Sequence, residues 1–156
     1  MKTLLLLTTM TFLVKCGTDS FTDPLTYDYT VANKSGVTVT FIPYINDNID
    51  LGRKVVLENN KSLNKIETFI DPNGGLGMTG VIFDYKANPY TGILTHVEVV
   101  FGNNKKVLYK ACSPTYNCNS NPRSIFNLDF NDNLKEVYNV TAEDYQNAVA
   151  CGGNCY

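Results

Sequence analysis

Five cysteines and one histidine are the residues of this 156-residue chain best able to do chemistry. Four cysteines fall in two close pairs, Cys112 with Cys118 (C-x5-C) and Cys151 with Cys155 (C-x3-C). Thiols so spaced either close disulfides or hold a tetrahedral metal. The local pairing is favoured. Cys112 and Cys118 bracket Ser-Pro-Thr-Tyr-Asn, a loop sequence, and Cys151 and Cys155 bracket the flexible Gly-Gly-Asn. The crossed pairing, which ties the C-terminal tail to the Cys112 loop, would constrain the unfolded chain more. A four-cysteine zinc site is the sharper alternative. C-x5-C lies outside the usual ligand spacing, and disulfides are the default in an oxidising compartment, so no metal is expected. Cys16 remains as the odd cysteine.

His96 alternates with Glu98 along an expected strand, so the two share a face, as a general base and its orienting acid would. No motif sets a serine or cysteine nucleophile beside them, and no catalytic residue is assigned. The balance favours an exposed strand histidine, and a concave pocket converging on His96 would shift it toward an enzyme. Gly75-Leu-Gly-Met-Thr-Gly80 spells G-x-G-x-x-G, but apolar, strand-like Val81-Ile82-Phe83 follows where a dinucleotide site needs a helix. It reads as a glycine-rich connection, and no cofactor is expected. Asp129-Phe-Asn-Asp-Asn133 and the Asn46–Asp50 cluster offer hard oxygens. The first lacks the glycine and the terminal glutamate of a calcium loop, so both read as polar turns. Ten tyrosines and eight phenylalanines could form a sugar- or peptide-binding platform, though most read as core. Asn33, Asn60 and Asn139 begin glycosylation-like triplets and read as turn and strand residues.

The elements that must position these residues are mostly strands. Tyr27, Tyr29 and Val31 alternate with polar residues, Asn33-Lys-Ser-Gly36 is turn chemistry, and Val37, Val39 and Phe41 resume the alternation. Together they predict a β-hairpin. Further strands are expected over 53–58, 63–70, 79–85, 93–101 and 106–111, with weaker ones over 125–129 and 135–140. Turns at 59–60, 72–75, 88–89 and 102–104 separate them. The runs flanking 102–104 predict a second hairpin. Thr141, followed by Glu143 and Asp144, predicts one short helix ending before Gly152. The fold class expected is mostly β: an antiparallel β-sandwich or open barrel with one short C-terminal helix.

The first fifteen residues differ in kind. Lys2 precedes an apolar run from Leu4 to Val14, too short to span a bilayer and apt for a secretory signal. Leu13-Val-Lys-Cys16-Gly resembles a bacterial lipobox, although Lys15 stands where a small residue is usual. The resemblance implies cleavage before Cys16 and acylation of its sulfur. The expected organisation is a signal peptide over 1–15, a lipidated Cys16 with tether over 16–25, and one globular domain over 26–156. Losing Lys2 and Lys15 leaves 11 basic and 15 acidic residues, a balance of −4. With no basic run longer than Lys105-Lys106, which reads as turn decoration, a nucleic-acid partner is disfavoured.

The leader ending at Cys16, the stretch Tyr29-Thr-Val-Ala-Asn-Lys-Ser-Gly36 and the ending Val140-Thr-Ala-Glu-Asp-Tyr-Gln-Asn-Ala148 together resemble the small lipoproteins of flavobacteria and other Bacteroidetes. That resemblance implies an exported β-rich domain and carries over no activity. The function expected is a membrane-anchored, extracytoplasmic lipoprotein, a non-enzymatic binding or envelope component at the outer membrane. Its expected partner is membrane lipid, reached through Cys16, with a protein or glycan partner left open. The alternatives are a small secreted or periplasmic hydrolase and an unlipidated secreted interaction factor.

Overall fold

A computed structural model of the chain describes residues 23–70, 77–85, 92–131 and 133–156. The expected leader, Cys16 and most of the tether lie outside these residues, as do Asp132, Gly75, Leu76 and the turns at 72–75 and 88–89. In chain order the described residues form β1 (Leu25–Lys34), β2 (Val39–Ile45), β3 (Asn48–Ile49), β4 (Val55–Leu57), β5 (Ser62–Phe69), α1 (Met78–Ile82), β6 (Leu94–Phe101), β7 (Lys105–Lys110), β8 (Lys135–Thr141), α2 (Ala142–Asn147) and β9 (Val149–Ala150).

Among the described residues the strands make two sheets, and the architecture is that of a β-sandwich with no closed barrel. The first sheet has order β5-β1-β8. The second has order β3-β2-β6-β7-β9, with β4 also pairing to β2. Period-two alternation explains the core. β1 turns Tyr27, Tyr29 and Val31 inward. β2 offers Val39 and Phe41, β6 offers Val97, Val99 and Phe101, and β8 offers Tyr138 and Val140. Each large side chain fully buried contributes about 1.5–3 kcal/mol. β1 pairs antiparallel with β5 and parallel with β8, so one ladder departs from an all-antiparallel arrangement.

The second expected hairpin forms, as β6 and β7. The first does not, although both of its strands exist. Asn33 is fully buried, and its side-chain amide donates to the carbonyls of Val37 at 2.7 Å and Leu57 at 2.8 Å. Its side-chain oxygen accepts from the Ser35 amide and hydroxyl. Locked so, the turn carries the chain across the sandwich, and β1 and β2 enter different sheets.

Two expected strands are replaced. Residues 78–82 form α1, which buries Met78, Val81 and Ile82 against β1 and β5. Its first amide, Met78 N, donates to Asn131 Oδ1 at 2.7 Å. A Cβ on Gly77 would sit 2.7 Å from that same oxygen, so the approach needs glycine. The stretch 125–129 is a chain of turns held by asparagines. Asn117, Asn121 and Asn127 each accept from the amide two residues on, and Asn131 donates to the carbonyls of Ile125 and Asn127.

The C-terminal helix forms as α2, starting at Thr141 with a reciprocal capping box to Asp144. Lys105 and Lys106 do not decorate a turn. They open β7 and hold the C-terminal segment. Lys105 Nζ donates to the carbonyls of Tyr145 and Gln146, in the last turn of α2 where the helix dipole favours a cation. Lys106 Nζ donates to the Cys155 carbonyl. Ile42 and Val100, on the outward face of the second sheet, are buried beneath Cys155 with Cys151 alongside, as a second small core.

Candidate functional site

Both cysteine pairs are disulfides in the local arrangement. Cys112–Cys118 has Cα atoms 4.8 Å apart and Cys151–Cys155 has them 5.1 Å apart. No group of three or more metal-ligating side chains occurs among the described residues. Several described members of the hard-oxygen clusters serve turns and connections. Asn46 Oδ1 accepts from Ile93 N, Asp50 caps a short turn of helix and pairs with Arg53, and Asn131 holds α1 as described.

His96 stands on the outward face of the second sheet. Its ring stacks on Tyr44 of β2, with centroids 4.1 Å apart. The pairing of β2 with β6 shifts register here: Tyr44 faces His96, but Ile45 faces Leu94. Thr95 is the extra residue of this bulge, and its hydroxyl gathers the local backbone. It accepts from Asp47 N at 3.1 Å, donates to the Tyr44 carbonyl at 3.3 Å and lies 3.1 Å from His96 Nδ1. Bulges re-aim side chains in this way, commonly near binding sites. Asp47, at positive φ in the β2–β3 turn, brings Oδ1 to 3.6 Å from Nδ1.

Glu98 does share the face of His96, but it serves a different partner. Its carboxylate is nearly covered, with Oε1 3.0 Å from Lys106 Nζ, and Oε2 accepting from the Tyr44 hydroxyl at 3.3 Å. Burial, and then the Glu98 charge, push the Tyr44 phenol above its ordinary range. Burial pulls the His96 imidazole below its ordinary value and Lys110 adds to that, against the opposing charges of Asp47 and Glu98. The ring is therefore neutral at pH 7 and able to accept a proton or a hydrogen bond.

Beside this face the chain leaves β7 and loops through the Cys112–Cys118 disulfide. Between loop and sheet lies an open cleft of about 790 Å³. Its lining mixes apolar Ile93, Leu108 and Tyr116 with charged Asp47 and Lys110 and the hydroxyls of Ser113 and Thr115. The cleft also reaches His96. Among the described residues the Ser113 hydroxyl bonds only that of Thr115, at 3.3 Å. Gly92, next in the chain to the lining residue Ile93, has φ +90°, and a Cβ there would lie 2.6 Å from both Ile45 and Asn46 side chains.

Of the residues singled out in the sequence, the structure thus brings His96 and Cys112 to one cleft and directs Glu98 to Lys106. Asp47, Lys110, Ser113 and Tyr116 were not read as a group, because the cleft depends on a β-bulge and a disulfide loop meeting in space. Set against protein-family models, curated proteins and solved structures, the chain matches none. No helix among the described residues is long and apolar enough to cross a membrane.

Proposed function

We propose that the chain is an exported lipoprotein, anchored through Cys16 in a membrane of the cell envelope, whose β-sandwich binds a ligand in the His96 cleft. The cysteine accounting carries the reading. Two disulfides use four of the five cysteines and leave Cys16 as the fifth, directly behind an apolar leader. Disulfides persist in oxidising, extracytoplasmic compartments, which fits export. An odd cysteine in an exported chain needs a fate, and acylation supplies one. The cleft supports binding because it sets apolar edges beside a few convergent polar groups. A ligand with both an apolar face and hydrogen-bonding groups fits that lining.

The test is metabolic labelling with an alkyne fatty acid in an expressing bacterium. Label is expected on the wild-type chain and absent from Cys16→Ser. Globomycin, which blocks lipoprotein leader cleavage, is expected to leave the precursor uncut. An unlabelled chain with unaffected processing refutes the anchor and leaves the secreted, unlipidated factor.

A small hydrolase is the second reading, favoured by the cleft at His96 with Asp47 near its Nδ1. A panel of ester and glycoside substrates tests it: turnover abolished by His96→Ala would replace the binding reading.

A further inference from the structure

We propose, resting on the cleft as a binding site and not on the Cys16 anchor, that its ligand is an organic carboxylate with an apolar body, held by its charge between Lys110 and His96. The registers of the second sheet place these two side chains. Tyr44 of β2 pairs with His96 of β6, and His96 pairs with Lys110 of β7. Residues directly paired across a ladder share a face, with Cβ atoms about 4.5–5.5 Å apart. Tyr44, His96 and Lys110 therefore form one row across three strands, on the outward face. The Cys112–Cys118 loop begins two residues beyond Lys110 and sets Ser113, Thr115 and Tyr116 on the same cleft.

The charges around that row have different tasks. Glu98 is committed to Lys106 and to the Tyr44 hydroxyl. Asp47 comes from the β2–β3 turn against His96 Nδ1, which also faces the Thr95 hydroxyl. Lys110 stands on the other flank of the ring, on β7, and among the described lining residues it is the one fixed cation. Its ammonium disfavours a second positive charge on the imidazole. A bound carboxylate removes that conflict. It neutralises Lys110 and, as an acceptor, lets His96 take up a proton and donate it in a charge-assisted hydrogen bond. The Ser113 and Thr115 hydroxyls, on the loop that follows Lys110, can supply further donors.

The rest of the lining suits an apolar body. Ile93 is 68% exposed, and Leu108 and Tyr116 are exposed too, all three on the cleft. Leu108 lies two residues from Lys110 along β7, so the two share a face. An alkyl or aryl group laid over these side chains removes apolar surface from water while the head group meets Lys110. A cationic head would meet Lys110 as a like charge, and a neutral amide would bring it no counter-charge. Proton uptake by His96 on binding makes affinity rise as pH falls through the imidazole range. The groups that face the ring are Tyr44 of β2, Asp47 of the turn after it, Glu98 of β6 and Lys110 of β7, with Lys106 neutralising Glu98. Asp47 and Glu98 act on the ring before and after binding, so the change comes from the ligand's charge and from the neutralised Lys110.

Phenylbutyrate, phenylbutyramide and phenylbutylamine share an apolar body and differ in charge, and they test the class on the full chain purified from an expressing host. His96 is the single histidine, so its imidazole proton resonances in NMR locate binding, and calorimetry gives the affinity. Phenylbutyrate is expected to move the His96 signal saturably and to bind roughly tenfold tighter than the amide or the amine. Its affinity is expected to rise about threefold between about pH 8 and about pH 5.5, and His96→Gln is expected to abolish that rise. Lys110→Met, at an exposed position, is expected to weaken phenylbutyrate roughly tenfold and to leave the amide within about twofold. Amide or amine binding at His96 as tight as that of phenylbutyrate overturns the proposal and leaves the cleft as a binding site. So does a Lys110→Met chain that holds the acid as well as the wild type, or an affinity for the acid that does not rise as pH falls. A His96 signal unmoved by all three at millimolar concentration overturns the proposal and the cleft reading together.

Discussion

Replacing Asp144 by alanine is expected to be among the costliest single changes outside the apolar core. Its side chain is only 6% exposed and accepts four hydrogen bonds. Arg123 supplies two, from Nε at 2.7 Å and Nη2 at 2.6 Å. Thr141 supplies the others, from its amide at 2.7 Å and its hydroxyl at 3.0 Å. Losing the capping half costs about 1 kcal/mol. Breaking a fully buried ion pair costs about 3–5 kcal/mol, whereas an exposed pair is worth about 0.2–1 kcal/mol. Arg123 is 40% exposed, so its pair falls between, at about 2 kcal/mol. The total is about 3 kcal/mol, or about 10 °C in Tm for a domain of this size. Thermal and urea unfolding followed by tyrosine fluorescence measure it, since the chain has ten tyrosines and no tryptophan. A cycle with Arg123→Ala isolates the ion pair, with an expected coupling of about 1.5–2 kcal/mol. A Tm loss below about 3 °C, or a coupling near zero, refutes the reasoning.

Acid should destabilise the fold in two stages. Bonds from Lys135 and Asn64 lower the Asp28 pKa. For Asp144 burial pushes upward, but Arg123 and Thr141 outweigh it. Carboxyls lowered on folding give stability that is complete above the unfolded value near pH 4 and lost as pH falls through the folded value. His96 is also lowered, so its smaller contribution is complete above about pH 6.5 and declines below it. The Tm measured from pH 7.5 to 3 should show both declines, and His96→Gln should remove only the first. Cys151→Ser with Cys155→Ser opens a short ring worth about 2 kcal/mol, and uncovering Ile42 and Val100 adds to the loss. Urea unfolding should register it, and no change would mean that the tail does not cover the sheet. A tryptic digest without reductant should keep Cys112 with Cys118 and Cys151 with Cys155, because Arg123 and Lys135 separate the two rings. A peptide joining the rings would contradict the pairing. Gly92→Ala should cost about 1–3 kcal/mol by strain at positive φ and by collision with Ile45 and Asn46, read as a lower Tm.

Strand identity was legible in the sequence wherever alternation was clean. β1, β5 and β8 follow from period-two burial, β6 from an apolar run that is covered on both faces, and α2 from its cap. Partner choice was not legible. The turn after Asn33 carries the residues of a hairpin, and only the buried amide reaching Leu57, far along the chain, shows that it crosses between sheets. Val81-Ile82-Phe83 is apolar on every side, so its periodicity cannot separate a core helix from a core strand. The turns over 117–131 did carry a signal, asparagines that bond two residues ahead, and the strand reading overlooked it. At the cleft His96 was visible as a lone histidine. Asp47, Lys110 and Tyr116 gain meaning only once the bulge at Thr95 and the Cys112 loop are placed.

The parallel ladder between β1 and β8 governs when this domain can finish. Asp28 lies opposite Lys135, and Lys34 opposite Thr141. A chain emerging amino end first, from a ribosome or through a translocation pore, presents β1 long before that neighbour exists. Antiparallel β5 can join early, but the other flank of β1 stays bare until residue 141 is out. Such distant pairing makes for slow completion. A premature stop anywhere before that residue should yield a protease-sensitive remnant in place of a shorter stable domain.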